Sequence, residues 1–295
     1  MIVSMNGALI GEDQAVISVF DHGFLYGIGL FETFRTYRGI PFLLEEHLRR
    51  LSLSCAELGI AYTPQPQELR ARIALLLNAN QLTDGYIRLS VSAGAQPLGF
   101  PIGDYVHSNE IIYVKSLPER TQRMYDEGKP LQLLQLRRNT PEGPVRMKSS
   151  HYMNNILGKR ELQQYPWAVD AEGLFLNASD YVAEGLVSNL FFIKRGMLCT
   201  PSIDTGILPG ITRAFILDLA DELDIPYEEG FYSQEWLCHA EDMFTTNSIQ
   251  EMIPVRCLYD PEGTVVWTRG STLMDPITLR LMEHYQWVVQ GGSLS

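Results

Sequence analysis

The sequence predicts an α+β protein of two domains. Apolar residues with strand-like and helical spacing occur in both halves of the chain, without a repeated βαβ array. A polar, proline-bounded stretch from Leu117 to Pro130 separates the two halves, as is typical of a linker. We therefore predict a small α+β domain over residues 1–120, a linker over 121–130 and a larger α+β domain over 131–295.

In the first half, Ile2–Leu9 and Ala15–Val19 are short strand-like runs around Asn6-Gly7, which is a hairpin signal. A helix is predicted from apolar residues that share one face: Leu44, Leu48, Leu51, Cys55 and Leu58. Gly59 is a suitable end for this helix. The other elements predicted in this half are a helix and two strands: Glu68–Asn78, Tyr86–Ser92 and Ile111–Ser116.

In the second half, Leu131–Leu136 has the pattern of a buried strand, and Gly173–Thr200 is rich in strand-forming residues. Helices are predicted over His151–Gln164 and Thr212–Leu223. The second of these follows directly on Pro209-Gly210, a turn signal.

Composition excludes several function classes. The 295 residues carry a net charge of −12, which argues against nucleic acid or an anionic membrane as the main partner. The N-terminus has no basic segment followed by an apolar run, and we expect no signal peptide and no membrane span. The four cysteines show no C-x-x-C spacing, so we expect no metal site and a cytoplasmic protein with free thiols.

Lys148 is the lysine whose surroundings differ from those of the other four. It lies in RMKSSHYMNN, close to Arg146, whereas the others lie in the linker, a turn, a strand and a helix. A reactive lysine must lose its proton, which desolvation or a nearby positive charge favours. A solvated surface lysine is the alternative interpretation of this local sequence.

Three further segments suit an anionic, ring-shaped cofactor. Glu184 opens EGLVSNLFF and is either an exposed strand-end carboxylate or the partner of a protonated ring nitrogen. The ILPGITR segment places the amides of Ile211 and Thr212 at a helix start. These amides either bind a phosphate or belong to an ordinary helix start without a ligand. Ser248 follows in a similar polar turn, and Arg50 is either a phosphate ligand or a solvated helix residue.

Taken together, these segments resemble the fold-type IV pyridoxal-phosphate enzymes, a family that includes aminotransferases and aminodeoxychorismate lyases. The resemblance covers about Met5 to Val255 and is carried by DHGFLYGIGLFETFR, EGLVSNLFF and ILPGITR. It implies two α+β domains of the D-amino acid aminotransferase type, with pyridoxal 5′-phosphate between them, and a homodimer.

The resemblance also implies roles for individual residues. Lys148 is the lysine that binds the cofactor covalently, Glu184 pairs with its ring nitrogen, and Arg50 binds its phosphate. Further cofactor contacts are expected from the two turn segments: Ile211, Thr212, Asn247, Ser248 and Ile249.

Within the family, Thr33 and Asn247 indicate a lyase. Branched-chain aminotransferases typically have glycine where this chain has Thr33, whereas the lyases have a threonine that acts on the leaving enolpyruvyl group. The strings RRNTPEG, KSSHYMNN, SIDTGIL and TNSIQEMIP also resemble the lyases. The resemblance thus implies 4-amino-4-deoxychorismate lyase activity, giving 4-aminobenzoate and pyruvate for folate biosynthesis.

Two alternatives remain open at this point: an aminotransferase for branched-chain or D-amino acids, and a catalytically silent binding protein on the same scaffold. Some lyases carry an arginine where this chain has Ala93, so another residue must hold the substrate carboxylate. The candidates are Arg88, Arg138 and Arg146.

Overall fold

The structure is a computed structural model that describes residues 1–119, 121–270 and 274–292. It divides into two units: unit 1 comprises Met1–Pro118 and Met147–His151, and unit 2 comprises Glu119–Arg146 and Tyr152–Ser295. The combination of helices and strands confirms the predicted α+β class. The predicted boundaries at residues 120 and 295 lie outside the described residues.

The division differs from the prediction in two places. The predicted linker contains a helix, α4 (Gln122–Asp126), and the start of a strand at Lys129, and both belong to unit 2. Met147–His151 was predicted to lie in the second domain but belongs to unit 1. Met147–His151 joins unit 1 because Ser149 pairs with Leu30 of that unit. Local sequence patterns do not reveal such a long-range pairing.

Unit 1 is a sheet covered by helices. Its strands are β1 (Ile2–Met5), β2 (Ala8–Gly11), β3 (Gly29–Tyr37), β4 (Ile40–Pro41), β5 (Tyr86–Ser92) and β6 (Asn109–Lys115). Its helices are α1 (His22–Tyr26), α2 (Leu44–Glu57) and α3 (Pro66–Ala79). The strands pair antiparallel in the order β2-β1-β6-β5-β3-β4.

The core of unit 1 lies between one sheet face and the helices. Alternate residues of β5 are buried with the apolar face of α2 and α3: Ile87, Leu89, Val91, Leu48, Leu51, Leu69 and Ile73. Because side chains alternate along a strand, Arg88 and Ser90 lie on the opposite face, where they are half-buried.

Unit 2 is also a helix-covered sheet. Its strands are β7 (Lys129–Leu133), β8 (Glu172–Leu176), β9 (Val182–Gly185), β10 (Asn189–Lys194), β11 (Met197–Pro201), β12 (Tyr227–Gly230), β13 (Asp242–Asn247), β14 (Glu251–Tyr259) and β15 (Val265–Thr268). The sheet order is β12-β11-β10-β13-β14-β7-β8-β9, and β15 pairs with β14. Besides α4, its helices are α5 (Met153–Leu162), α6 (Ile211–Glu222), α7 (Gln234–Cys238) and α8 (Pro276–Val289).

One predicted strand is wrong. Ala15–Val19 is irregular, and Val16 and Val19 are 71% and 67% exposed. An apolar run forms a strand only where it finds a neighbouring strand to pair with, and this segment has none among the described residues. No helix in the described ranges is both long and apolar enough to cross a membrane.

Candidate active site

Lys148 is held in unit 1 by a short segment that pairs with β3. The amide of Phe31 donates to the Lys148 carbonyl (2.9 Å) and the amide of Ser150 donates to the Gly29 carbonyl (2.8 Å). Leu30 and Ser149 form an antiparallel bridge, so Lys148 lies directly opposite Phe31 and on the same face. The Lys148 Nζ atom lies 4.7 Å from the centroid of the Phe31 ring.

Two glycines give this segment room to approach. A Cβ atom on Gly27, whose φ is +74°, would lie 2.7 Å from His151 Cδ2. A Cβ atom on Gly29 would lie 2.9 Å from Ser150 Oγ. The glycines of the GIG sequence are therefore explained by close backbone packing around the lysine-bearing segment.

The register of the sheet brings Thr33 and Arg88 onto the face that carries Lys148. Thr33 pairs with Arg88 across β3 and β5, and Phe31 pairs with Ser90. Directly paired residues of an antiparallel sheet share a face, with Cβ atoms about 4.5–5.5 Å apart. We call this set of residues (Lys148, Phe31, Thr33, Arg88 and Ser90) the lysine face.

Glu32 points to the other side of β3, where it binds two side chains of α2. Its carboxylate accepts from His47 Nδ1 (2.6 Å) and from Arg50 Nε (2.8 Å) and Nη2 (2.6 Å). Burial alone would raise the pKa of Glu32, but Arg50 and His47 outweigh it and lower the pKa to about 2. The carboxylate therefore orients the predicted phosphate ligand Arg50 with two hydrogen bonds.

His47 is neutral in this cluster. Burial lowers its pKa, and the Glu32 carboxylate only partly opposes that effect. The positive charges of Arg50 and Lys148 lower the pKa further. His47 thus donates to Glu32 through Nδ1 as a neutral ring.

In unit 2, Glu184 lies at the end of β9 and is 4% exposed. One carboxylate oxygen accepts from Arg138 Nε (2.7 Å) and the other accepts from the amide of Leu208 (2.9 Å). Arg146 Nε lies 3.8 Å from the same carboxylate. Glu184 is therefore a buried carboxyl group held by two arginines, not an exposed strand-end carboxylate.

Both of these arginines have further partners within unit 2. Arg138 Nη1 donates to Asn139, Asn154 and Asn155 side chains. Arg146 donates to the backbone carbonyls of Gly206 and Asn139. Burial, and then the charge of Arg138, lower the pKa of Arg146 to about 10.

Helix α6 begins at an open N-terminus. Its N-cap is Gly210, and no described side chain caps it, so the amides of Ile211 and Thr212 suit an anion. A Cβ atom on Gly210 would lie 2.0 Å from Asn189 Oδ1. The side chain of Asn189 also donates to the Leu208 carbonyl (3.0 Å), which fixes the turn that leads into the helix.

The hydroxyl of Thr212 lies 3.1 Å from the hydroxyl of Ser248. Ser248 belongs to the turn between β13 and β14, which Asn247 holds together. Asn247 Oδ1 accepts from the amides of Ile249 (3.0 Å) and Gln250 (2.8 Å). The predicted site residues Asn247 and Ile249 thus bond to each other, and Thr212 and Ser248 present paired hydroxyls beside the helix start.

A family model described as amino-transferase class IV matches residues 29–258. The chain belongs to this family. Aminodeoxychorismate lyase of Bacillus subtilis (strain 168) is 43% identical over 255 residues, covering 86% of this chain and 85% of the relative. A putative branched-chain-amino-acid aminotransferase of Methanocaldococcus jannaschii is 32% identical, covering 97% and 96% of the two chains.

A solved structure has the same fold. The 4-amino-4-deoxychorismate lyase from Pseudomonas aeruginosa has a TM-score of 0.80 and 28% identity, covering 96% of this chain and 98% of that chain. The resemblance to fold-type IV enzymes predicted from sequence is thus confirmed, and the chain is an enzyme. Members of this family depend on pyridoxal 5′-phosphate, which confirms the predicted cofactor.

The donor groups fit this cofactor. A lysine suits its aldehyde, a buried carboxylate suits its protonated ring nitrogen, and an uncapped helix start with two hydroxyls suits its phosphate. Sequence reasoning missed Phe31, Glu32 and His47, although HLRRL places His47 and Arg50 three residues apart on one helical face.

Proposed function

We propose that the chain is a 4-amino-4-deoxychorismate lyase, which releases 4-aminobenzoate and pyruvate. The observation that carries the proposal is the placement of the Thr33 hydroxyl on the lysine face, where no described residue accepts or donates a hydrogen bond to it. Such a hydroxyl is available to a substrate. The 43% identity to a lyase supports the same reaction.

Pyridoxal 5′-phosphate supplies an electron sink for the pair that remains when the C–H bond beside the substrate amine breaks. Lys148 provides the amine that takes this proton. Thr33 donates a hydrogen bond to the ether oxygen on the neighbouring carbon as the C–O bond breaks. The ring then becomes aromatic, and the enolpyruvate that leaves becomes pyruvate.

The remaining residues prepare this step. Arg138 and Arg146 hold the Glu184 carboxylate in position to pair with the ring nitrogen. Glu32 orients Arg50 toward its role as a phosphate ligand. Ile211, Thr212 and Ser248 add backbone and hydroxyl donors for the phosphate, which needs several donors because it carries most of the cofactor's charge.

The alternative is an aminotransferase, which relatives of the same family support. The test is to supply the cofactor-loaded protein with aminodeoxychorismate generated in place and to measure both products. We expect pyruvate and 4-aminobenzoate in equal amounts, and far slower conversion of leucine, glutamate or D-alanine to keto acids. Keto-acid formation without pyruvate release would make the chain an aminotransferase.

We also propose that the chain is a homodimer. The segment around α1 and the loop after β5 expose Phe24 (68%), Phe100 (100%) and Ile102 (103%). Clustered exposed apolar residues of this kind mark protein interfaces. Light scattering should give twice the 33.4 kDa mass of one chain, and a monomer at micromolar concentration would contradict the proposal.

A further inference from the structure

We infer that Glu251 and Gln286 hold the turn that carries Ser248 in position for the phosphate of pyridoxal 5′-phosphate. Through this pair, helix α8 sets the affinity of the protein for its cofactor. Both are positioning residues, because they act through Ser248 and not on the cofactor itself. The inference goes beyond the proposed function, since it holds for a lyase and for an aminotransferase alike.

Glu251 ends the turn in a backbone conformation that residues other than glycine rarely adopt. Asn247 pairs with Glu251 across β13 and β14, which leaves a three-residue loop between them. Hairpins with such loops often end in a left-handed residue, and glycine is the usual choice because it has no Cβ atom. Here a glutamate takes that place, with a φ of +65°. This choice costs free energy, which the side chain has to offset.

The side chain of Glu251 is buried and bound to α8. Of the described non-glycine residues with a positive φ, Glu251 alone is buried. Its Oε2 atom accepts a hydrogen bond from Gln286 Nε2 at 2.7 Å. A buried carboxyl group needs such donors, because burial removes its hydration. The strained residue of the turn is therefore tied to α8 through its side chain.

Helix α8 also contacts α6, whose N-terminus is the other candidate phosphate-binding element. Tyr285 precedes Gln286 in the chain and is buried. Its ring packs edge-on against the ring of Phe215, with the centroids 5.1 Å apart. Phe215 lies one helical turn after Ile211, at which α6 begins. Adjacent residues of α8 thus contact the first turns of α6 and the turn that carries Ser248.

The relative position of these two elements matters because both supply donors for the phosphate. Thr212 Oγ1 of α6 lies 3.1 Å from Ser248 Oγ of the turn. A phosphate binds strongly where several donors converge on it, and a small displacement lengthens a hydrogen bond beyond its useful range. Asn247 fixes the turn from within, whereas the bond between Glu251 and Gln286 fixes the turn relative to the helices. Breaking that bond would let Ser248 move away from Thr212.

The test compares two ligands that differ only in the phosphate. Dissociation constants of pyridoxal 5′-phosphate and of pyridoxal would be measured by absorbance with the full chain, freed of cofactor beforehand. The variants are Gln286→Ala and Glu251→Gln. Gln290→Ala is the matched control, because Gln290 is an exposed glutamine one turn further along α8. Urea unfolding would check that each variant is folded.

We expect Gln286→Ala to weaken binding of pyridoxal 5′-phosphate by roughly 10-fold, the effect of leaving a buried carboxyl group without its donor. Pyridoxal binding should change less than about twofold, because its ring and aldehyde do not contact the turn. Glu251→Gln keeps an acceptor for Gln286 and should retain most of the affinity. Gln290→Ala should change neither constant. Equal weakening of both ligands in Gln286→Ala, or unchanged binding of both, would overturn the inference.

A second variant separates positioning from stability. Glu251→Gly removes the strain of the positive φ together with the carboxyl group, so the phosphate-specific loss of affinity should persist in it. The ³¹P NMR signal of the cofactor-loaded protein should shift in Glu251→Gly and Gln286→Ala but not in Gln290→Ala. Wild-type affinity in Glu251→Gly would show that the carboxyl group serves only the fold, and would overturn the inference. None of these measurements uses a substrate, so their outcome is independent of the proposed lyase function.

Discussion

The buried glutamates Glu32 and Glu184 are held in different ways. Glu32 accepts three hydrogen bonds, all from side chains of α2, whereas Glu184 accepts one from Arg138 and one from the amide of Leu208. A carboxylate has about four acceptor positions. Among the described residues, Glu184 thus retains more capacity for a further donor, such as a protonated ring nitrogen.

This difference separates a residue that orients from a residue that acts on the cofactor. The hydrogen bonds of Glu32 fix Arg50, so removing it should affect phosphate binding more than chemistry. Glu184 is held by two arginines of its own unit. Removing it should affect the electron sink itself.

The largest expected effect on activity comes from replacing Lys148. Lys148→Ala should lower lyase turnover by roughly 10²- to 10⁴-fold, because it removes the group proposed to take the proton. Borohydride reduction followed by mass spectrometry should find the cofactor attached to Lys148 in wild type and to no residue in the variant. Lys159→Ala is the control, and cofactor attachment that survives Lys148→Ala would contradict the assignment.

The second-largest expected effect is the difference between Glu32→Gln and Glu184→Gln. Glu32→Gln and Glu184→Gln should each lower the free energy of unfolding by about 3–5 kcal/mol, because each leaves buried cations uncompensated. At saturating cofactor, Glu184→Gln should lower kcat by roughly 100-fold or more. Glu32→Gln should instead mainly raise the dissociation constant of the cofactor. Equal loss of kcat in both variants would remove the distinction.

The smallest effect is a pH dependence of stability that arises from the Glu32 cluster. The pKa of Glu32 is lowered from 4.5 to about 2. Its contribution to the free energy of unfolding is therefore present above pH 4.5 and is lost as pH falls toward 2. The pKa of His47 is lowered from 6.5, so its contribution is present above pH 6.5 and is lost below it.

Urea unfolding between pH 5 and 7.5 would test the histidine part. His47→Gln should flatten the decline in unfolding free energy below pH 6.5, whereas the exposed His239→Gln should leave it unchanged. A decline of the same slope in His47→Gln would show that His47 is not its source.

Much of unit 1 was predictable from local patterns. The Asn6-Gly7 hairpin and the helix over Leu44–Glu57 form where the sequence predicts them, because turn chemistry and apolar spacing act locally. Strand β3 escaped prediction because its polar residues, such as Glu32 and Arg35, are buried too, which hides the alternation. Beyond Leu223 only the polar turn at Asn247–Ile249 was predicted, although this segment contributes four strands and two helices of the described structure.

The site was predictable as a set of residues but not as an arrangement. Lys148 lies in unit 1 because its segment pairs with β3, more than 100 positions earlier in the chain, and no local pattern encodes that pairing. The same holds for the arginines. Arg88, Arg138 and Arg146 are equivalent candidates in sequence, and their different partners appear only when the strands are in register.

The central claim is that Thr33 makes the lysine face specific for elimination. The most direct measurement is the ratio of pyruvate release from aminodeoxychorismate to keto-acid formation from an amino acid, in wild type, Thr33→Ser and Thr33→Val. The account predicts that Thr33→Val lowers pyruvate release by roughly 10²-fold, leaves keto-acid formation within about twofold, and that Thr33→Ser retains the wild-type ratio. Equal loss of both activities in Thr33→Val, or undiminished pyruvate release, would contradict it.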